Sequence, residues 1–189
     1  NNLVTAKEIT IEPTQGRYRL NMNDNLEKVQ EFYFDIEWSP FTKDGKEIKP
    51  ITKEIVNLYF PRLKKAAKKV LFILLKYIPK ENIYIRISGT GLHIIFFAKG
   101  LSIMDEWMLI TKYIIFKSKL PNTKNADKLV FGLDRDTILS SDRKIAEFGS
   151  WNKLKKYFKE EVDYLNYATY ISVKDFFAVK DYPFCGDYN

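Results

Sequence analysis

The predicted fold depends on one stretch, Glu31-Phe32-Tyr33-Phe34-Asp35-Ile36-Glu37-Trp38. In a β-strand, successive side chains point to opposite faces of the sheet. One face of this strand would be apolar, and the other would carry Tyr33 with two carboxylates, Asp35 and Glu37. Two carboxylates on one face can bind a divalent cation, although a solvated acidic strand has the same pattern. The rest of the chain has to decide between the two.

The composition predicts a folded, basic protein without disulfides. The chain of 189 residues suits one domain or one body with two lobes, and its 46% hydrophobic content is enough for a core. The net charge of +7 is compatible with a polyanionic partner and with plain solvation. With one cysteine, Cys185, and one histidine, His93, a Cys/His zinc cluster is excluded. No apolar run is long enough for a bilayer and no secretory signal opens the chain, so we expect a cytoplasmic protein without a membrane partner.

Strands and helices alternate along the chain, which predicts an α+β fold. A helical region is expected from Thr52 to Ile78, and Pro61 should break or kink it because proline lacks the amide N–H. A β-hairpin is expected at 82–98, where Ile83, Ile85 and Ile87 alternate with Tyr84, Arg86 and Ser88. The other expected elements are a strand within 4–11, a turn and strand at 15–19, a helix with Ser102 as N-cap, a strand at 129–134, a short strand at 143–148 and a Lys-rich helix at 151–161.

Three carboxylates lie at the ends of strands whose other faces are apolar: Asp35, Glu37 and Asp134. Hard oxygen ligands of this kind suit Mg²⁺ or Mn²⁺ rather than zinc. Two such ions about 4 Å apart can activate a hydroxyl and stabilise a leaving pyrophosphate, as nucleotidyl transfer requires. Gly132, close to Asp134, is expected to leave room for a ligand on that face.

The second candidate element is the turn Ser88-Gly89-Thr90-Gly91-Leu92-His93. Glycines at a tight turn let backbone N–H groups approach a phosphate, and Ser88 can donate its hydroxyl. His93 could hydrogen-bond a triphosphate and, if protonated, offset part of its charge. Taken alone, the turn is explained more simply as an ordinary hairpin with a polar histidine on the sheet face.

In this order, the three elements resemble the motifs of the archaeo-eukaryotic primase superfamily. Asp35-Ile36-Glu37 is similar to the first motif, Ser88 to His93 to the second, and Leu133-Asp134 to the third. Many members have Asp where this chain has Glu37, and the Asp-x-Glu form is familiar among plasmid-type primase-polymerases. The resemblance covers roughly residues 30 to 155.

The stretch after Asp134 resembles that of primase small subunits, where an Asp, a Thr/Asp pair, an Arg and a Gly-Ser turn follow in order. The likeness is looser here, because the family often has His where Asn152 stands and a second Arg where Ala146 stands. It implies four residues near the phosphates or sugar of a nucleotide: Arg143, Ser150, Asn152 and Lys153. The second motif would complete the nucleotide-binding set with Ser88, Gly89, Gly91 and His93.

Two departures favour the primase-polymerase or plasmid-replication branch, or a polymerase domain of the end-joining type. The second motif is one residue shorter than in replicative primases and lacks their paired arginines, and the single cysteine removes the zinc module that many carry. The resemblance implies an RNA-recognition-motif-like catalytic sheet packed with a smaller mixed α/β lobe, in one domain over residues 1–189. A fragment of a larger protein is also compatible with the start at Asn1 and the end at Asn189.

The function that the resemblance implies is template-dependent nucleotidyl transfer, synthesising primers or extending DNA in replication or repair. Asp35, Glu37 and Asp134 would be catalytic and would bind two Mg²⁺ or Mn²⁺ ions. The implied partners are a single-stranded DNA template with its primer, nucleoside triphosphates, and a helicase or helical accessory domain.

Other classes of protein fit part of the sequence. A non-catalytic RNA-recognition-like module would stack bases on exposed aromatics such as Tyr33 and Tyr84, but it leaves the three carboxylates unexplained because they repel phosphate. A rolling-circle replication nuclease needs a pair of metal-binding histidines, and this chain has one. An inactive paralogue is disfavoured because all three acids are present.

Overall fold

The computed structural model describes residues 3–4, 17–18, 29–99, 104–139, 144–145 and 169–184. In these ranges the fold is α+β, as predicted, with four helices and an antiparallel sheet of six strands, five of which lie in one linear order. The strands are β1 (Leu3–Val4), β2 (Arg17–Tyr18), β3 (Val29–Trp38), β4 (Tyr84–Ile87), β5 (Leu92–Lys99), β6 (Phe131–Leu133), β7 (Lys144–Ile145) and β8 (Thr169–Ser172). The helices are α1 (Lys53–Leu74), α2 (Met104–Ser118), α3 (Arg135–Leu139) and α4 (Val173–Ala178), with a 3₁₀ turn at Lys80–Asn82.

Strand β3 lies inside the sheet, whose order is β6-β3-β5-β4-β8. The short β1 also pairs with β5, while β2 and β7 form a separate two-stranded pair. The predicted apolar face of β3 is confirmed, because Phe32, Phe34 and Ile36 are all buried in the main core. Each such side chain contributes roughly 1.5–3 kcal/mol to folding, which fixes the side of β3 that faces inward.

Helix α1 covers this apolar face and continues through Pro61, so the predicted break at Pro61 is wrong. Proline removes one helical hydrogen bond and costs about 3 kcal/mol in a helix interior. Buried side chains continue on both sides of it at helical spacing, including Phe60, Leu63 and Ala67. Their burial outweighs the loss, and Pro61 itself lies on the exposed side.

The predicted β-hairpin is confirmed by the pairing of β4 with β5. Its turn contains Gly89 in the left-handed region at φ +114°, which favours glycine. Two side chains from elsewhere hold the turn by its carbonyl oxygens. Trp38 Nε1 donates to the oxygen of Thr90 at 3.1 Å, and the hydroxyl of Tyr182 donates to that of Gly91.

The four lysines near the middle of α1 do not form one uniform surface. Lys65, Lys68 and Lys69 are exposed, whereas the ammonium of Lys64 donates to the carbonyl of Val179. Burial, together with the neighbouring charge of Lys68, lowers the pKa of Lys64. Lys64 therefore joins α1 to the end of α4, and the other three are open to solvent or to a polyanion.

Several predicted elements are described only in part. The strand expected at 129–134 is β6, and the helix expected after Ser102 is α2. Most of the strands expected at 4–11, 15–19 and 143–148, the N-cap Ser102 and the helix expected at 151–161 lie outside the described residues. Within the described part, no helix is both long and apolar enough to cross a membrane.

Replacing Tyr182 by Phe should lower the free energy of unfolding by about 1–2 kcal/mol, because the buried carbonyl of Gly91 loses its hydroxyl donor. The control is Tyr77→Phe, at a residue that is 67% exposed, where the change should stay within about 0.5 kcal/mol. Urea unfolding of both variants measures the difference. Equal stabilities would show that Tyr182 does not hold the hairpin turn.

Candidate metal centre

Three half-buried carboxylates meet at one end of the sheet. Asp35 and Glu37 lie on β3, and Asp134 follows directly after the neighbouring strand β6. One oxygen atom from each side chain lies within 4.8 Å of the other two. The three acids that the sequence assigned to one site are therefore brought together, over a separation of about a hundred residues.

The register of the sheet produces this meeting. Asp35 is directly opposite His93 of β5, and His93 is directly opposite Arg86 of β4. On the other side of β3, the amide N–H of Asp134 donates to the carbonyl oxygen of Asp35 at 3.2 Å. Since paired residues share a face, Arg86, His93 and Asp35 form a row across three strands, and Asp134 lies next to Asp35 just after the end of β6.

Asp134 also begins helix α3. Its Oδ1 accepts the amide N–H of Thr137 at 3.0 Å, and its Oδ2 accepts the hydroxyl of the same residue. An aspartate that accepts from the amide three residues on is a helix N-cap. Thr137 therefore fixes the orientation of the Asp134 carboxylate, and the cap alone would be a structural reason for an acid here.

Glu37 is oriented by a residue that the sequence reasoning missed. The hydroxyl of Thr123 donates to Glu37 Oε1, and the backbone of Thr123 is held beside β6 by its N–H bond to the oxygen of Leu133 at 3.0 Å. Glu37 and Thr123 are 86 residues apart, and no local pattern connects them.

The expected ligand space over Gly132 is not present, and that prediction is wrong. A Cβ atom at Gly132 would lie 2.0 Å from the carbonyl oxygen of Pro121. Pro121 also accepts the amide N–H of Leu133 at 3.0 Å, so the segment before Thr123 runs along β6. Glycine at 132 allows that backbone to approach, which in turn places Thr123 against Glu37.

Gly91 has a packing role of the same kind. A Cβ atom at this position would lie 2.6 Å from the carbonyl oxygen of Ile36 and 3.4 Å from Cβ of Glu37. Glycine therefore lets the hairpin approach the acidic end of β3. Within the turn, Ser88 and Thr90 are half-buried while Gly89 and Gly91 are buried.

His93 lies beside the carboxylates rather than across a cleft from them. Its Nε2 is 3.5 Å from Asp35 Oδ1, the outer limit of a hydrogen bond. Its Nδ1 accepts from Arg86, with Nε at 3.0 Å and Nη2 at 2.7 Å. A nitrogen that accepts from a guanidinium is unprotonated, so these contacts do not favour the imidazolium that we expected to neutralise a triphosphate.

Tyr33 closes the site on the side away from Glu37. It is only 2% exposed, and its hydroxyl donates to the carbonyl of Thr137 at 2.8 Å. Its ring centroid lies 5.2 Å from that of His93. A ring held in this way cannot stack a base, which removes one of the aromatics proposed for a binding module.

The remaining nucleotide-binding predictions, Arg143, Ser150, Asn152 and Lys153, lie outside the described residues. Three supporting residues were missed: Arg86, Thr123 and Thr137. Thr137 had a signal, because Asp-x-x-Thr before a helix is a capping pattern. The signal for Arg86 was weaker: it is a charged residue between the isoleucines of a strand.

Mutual repulsion is an electrostatic cost of bringing the three carboxylates together. Two like charges about 4 Å apart repel by about 4 kcal/mol at an effective dielectric constant near 20. The hydroxyls of Thr123 and Thr137 each donate to one carboxylate and offset part of this cost. Carboxylate oxygens are the ligands that Mg²⁺ and Mn²⁺ prefer, so the three residues are of the type that holds such an ion.

Comparisons of the chain with protein-family models, with curated proteins and with solved structures give no significant match. The function must therefore be argued from the geometry of the site.

The cap and the charge of Asp134 can be separated by two substitutions. The free energy of unfolding of Asp134→Ala should be about 1 kcal/mol lower than that of Asp134→Asn. Both variants lose the charge, but asparagine still accepts the amide N–H of Thr137. Thermal or urea unfolding in EDTA measures the difference. Equal stability of the two variants would show that the cap contributes nothing.

Proposed function

We propose that this chain is the catalytic domain of a template-dependent nucleotidyltransferase of the primase-polymerase kind, which synthesises primers, extends DNA or does both. One observation carries the proposal. The acids of the first and third motif-like elements, Asp35, Glu37 and Asp134, present oxygen atoms within 4.8 Å of one another. The second element, from Ser88 to His93, leads into the strand directly beside them.

The topology supports the same proposal. From β3 to β6 the chain follows the order β-α-β-β-α-β, and these strands lie in the order β6-β3-β5-β4. This order is similar to the split β-α-β arrangement of ferredoxin-like folds and is compatible with the RNA-recognition-motif-like sheet that we propose. In the proposed enzyme, the central strand β3 carries two ligands, and its two neighbours carry the third ligand and the histidine.

The residues present fit a pair of Mg²⁺ or Mn²⁺ ions. When bound, such ions would activate a primer 3′-hydroxyl and stabilise the charge on the leaving pyrophosphate. Asp35, Glu37 and Asp134 would hold them. Thr123 and Thr137 keep two of these carboxylates in fixed orientations, so little side-chain rearrangement is needed when a cation binds.

The substrates follow from this chemistry. We infer that the enzyme takes nucleoside triphosphates and a DNA template with its primer. The net charge of +7 favours binding of a polyanion, although it does not select the sequence of that polyanion.

A non-catalytic module that stacks bases on this sheet is less well supported. Tyr33 is buried and hydrogen-bonded, and Tyr84 is half-buried, with its ring 5.9 Å from that of Phe97. Neither residue offers an open ring face of the kind that base stacking uses. Three carboxylates on the same face would also repel the phosphate backbone.

Primer extension with Mg²⁺ or Mn²⁺ tests the proposal. The unmodified chain should incorporate nucleotides, and Asp35→Asn and Asp134→Asn should each slow incorporation at least about 100-fold, because each loses a metal ligand without losing side-chain volume. Asp136→Asn is the control, since Asp136 is exposed, lies two residues after Asp134 and pairs with Lys124 at 2.8 Å. Its rate should stay within about twofold of the unmodified chain.

Equal rates in Asp134→Asn and Asp136→Asn would contradict the proposed site. Oligonucleotide binding that persists in EDTA, without any incorporation, would support the binding module instead. Parallel reactions on primed and unprimed templates would separate extension from primer synthesis.

A further inference from the structure

Arg86 is a buried charge beside the candidate site, and the proposed reaction does not use it. Only 1% of the residue is exposed, which places Arg86 among the large, fully buried side chains of the described residues. A guanidinium stays charged at any physiological pH, so burying it requires good acceptors. Among the described residues, one acceptor is the ring of His93, directly opposite on the neighbouring strand.

The contact determines where the imidazole carries its proton. Arg86 Nε and Nη2 lie 3.0 and 2.7 Å from His93 Nδ1, and a guanidinium can only donate. Nδ1 must therefore accept and cannot carry a proton. The single ring proton of the neutral imidazole is then on Nε2, the nitrogen that faces Asp35 Oδ1 at 3.5 Å.

The same contact restrains the imidazole ring, because turning the ring would break both contacts between Arg86 and Nδ1. The ring is also restrained from the side by Tyr33, whose centroid lies 5.2 Å away and whose hydroxyl is held by Thr137. His93 thus has one favoured proton position and little freedom to turn.

We propose that Arg86 is a positioning residue that keeps Nδ1 of His93 as an acceptor and so directs the Nε2–H of the ring toward Asp35. The order of donation is Arg86 to His93 and His93 to Asp35, across three adjacent strands. That Asp35 is then held ready for a metal ion rests on the proposed function. The tautomer does not depend on it.

The tautomer can be measured directly, because His93 is the only histidine in the chain. Two-bond ¹H–¹⁵N correlation spectra at neutral pH should show one unprotonated nitrogen, Nδ1, and one protonated nitrogen, Nε2. Arg86→Met removes the donor and should bring the two ¹⁵N signals toward each other, as the tautomers mix. Arg86→Lys keeps a donor and should retain most of the original pattern.

Either of two results would overturn the proposal: a proton on Nδ1 in the unmodified chain, or an unchanged spectrum in a folded Arg86→Met variant. If Arg86→Met does not fold, the spectra of the unmodified chain and of Arg86→Lys still decide the matter.

Primer extension and Mn²⁺ affinity provide the second measurement. Arg86→Met should lower one or both by about 10- to 100-fold, as is usual when the partner of a metal-site residue is lost, and Arg86→Lys should recover part of the loss. If the unmodified chain has the Nε2–H tautomer but incorporates no nucleotide, the proposed reaction is wrong and the assignment of Arg86 is still supported. An active enzyme that Arg86→Met leaves unchanged would remove the positioning role alone.

Discussion

The site depends on the antiparallel register of β3 with its two neighbours. Asp35 is opposite His93 on one side, and its carbonyl accepts the amide of Asp134 on the other. A slip of one residue would turn the apolar face of β3 outward and the carboxylates into the core. The burial that stabilises the sheet therefore also fixes which acidic side chains meet.

Close backbone approach is the second requirement, and glycines provide it at two positions. Gly91 lets the hairpin pass close to Ile36 and Glu37, and Gly132 lets Pro121 pass over β6. The segment positioned by Pro121 brings Thr123 to Glu37. These glycines are thus explained by the packing that builds the acidic cluster, with no need for a ligand in contact with them.

The sequence was enough to predict the α+β class and the hairpin, because strand alternation and tight turns are local patterns. The three acids that it assigned to one site do lie close together in the fold. The sequence could not predict the course of α1 through Pro61, since burial on either side decides that. The proximity of Thr123 to Glu37, the backbone over Gly132 and the partner of Arg86 were also missed. The contacts of Thr123 and of Gly132 join distant segments that no sequence periodicity relates. Arg86 and His93 are paired across the hairpin, but the sequence pattern does not show that their side chains bond to each other.

Mn²⁺ binding followed by electron paramagnetic resonance tests whether Asp35, Glu37 and Asp134 together bind divalent cations. The unmodified chain should bind Mn²⁺, and Asp35→Asn or Asp134→Asn should weaken that binding at least about tenfold, which corresponds to about 1.4 kcal/mol. Asp136→Asn, an exposed acid beside the site, should bind as the unmodified chain does. Equal Mn²⁺ affinity in all four proteins would contradict the account.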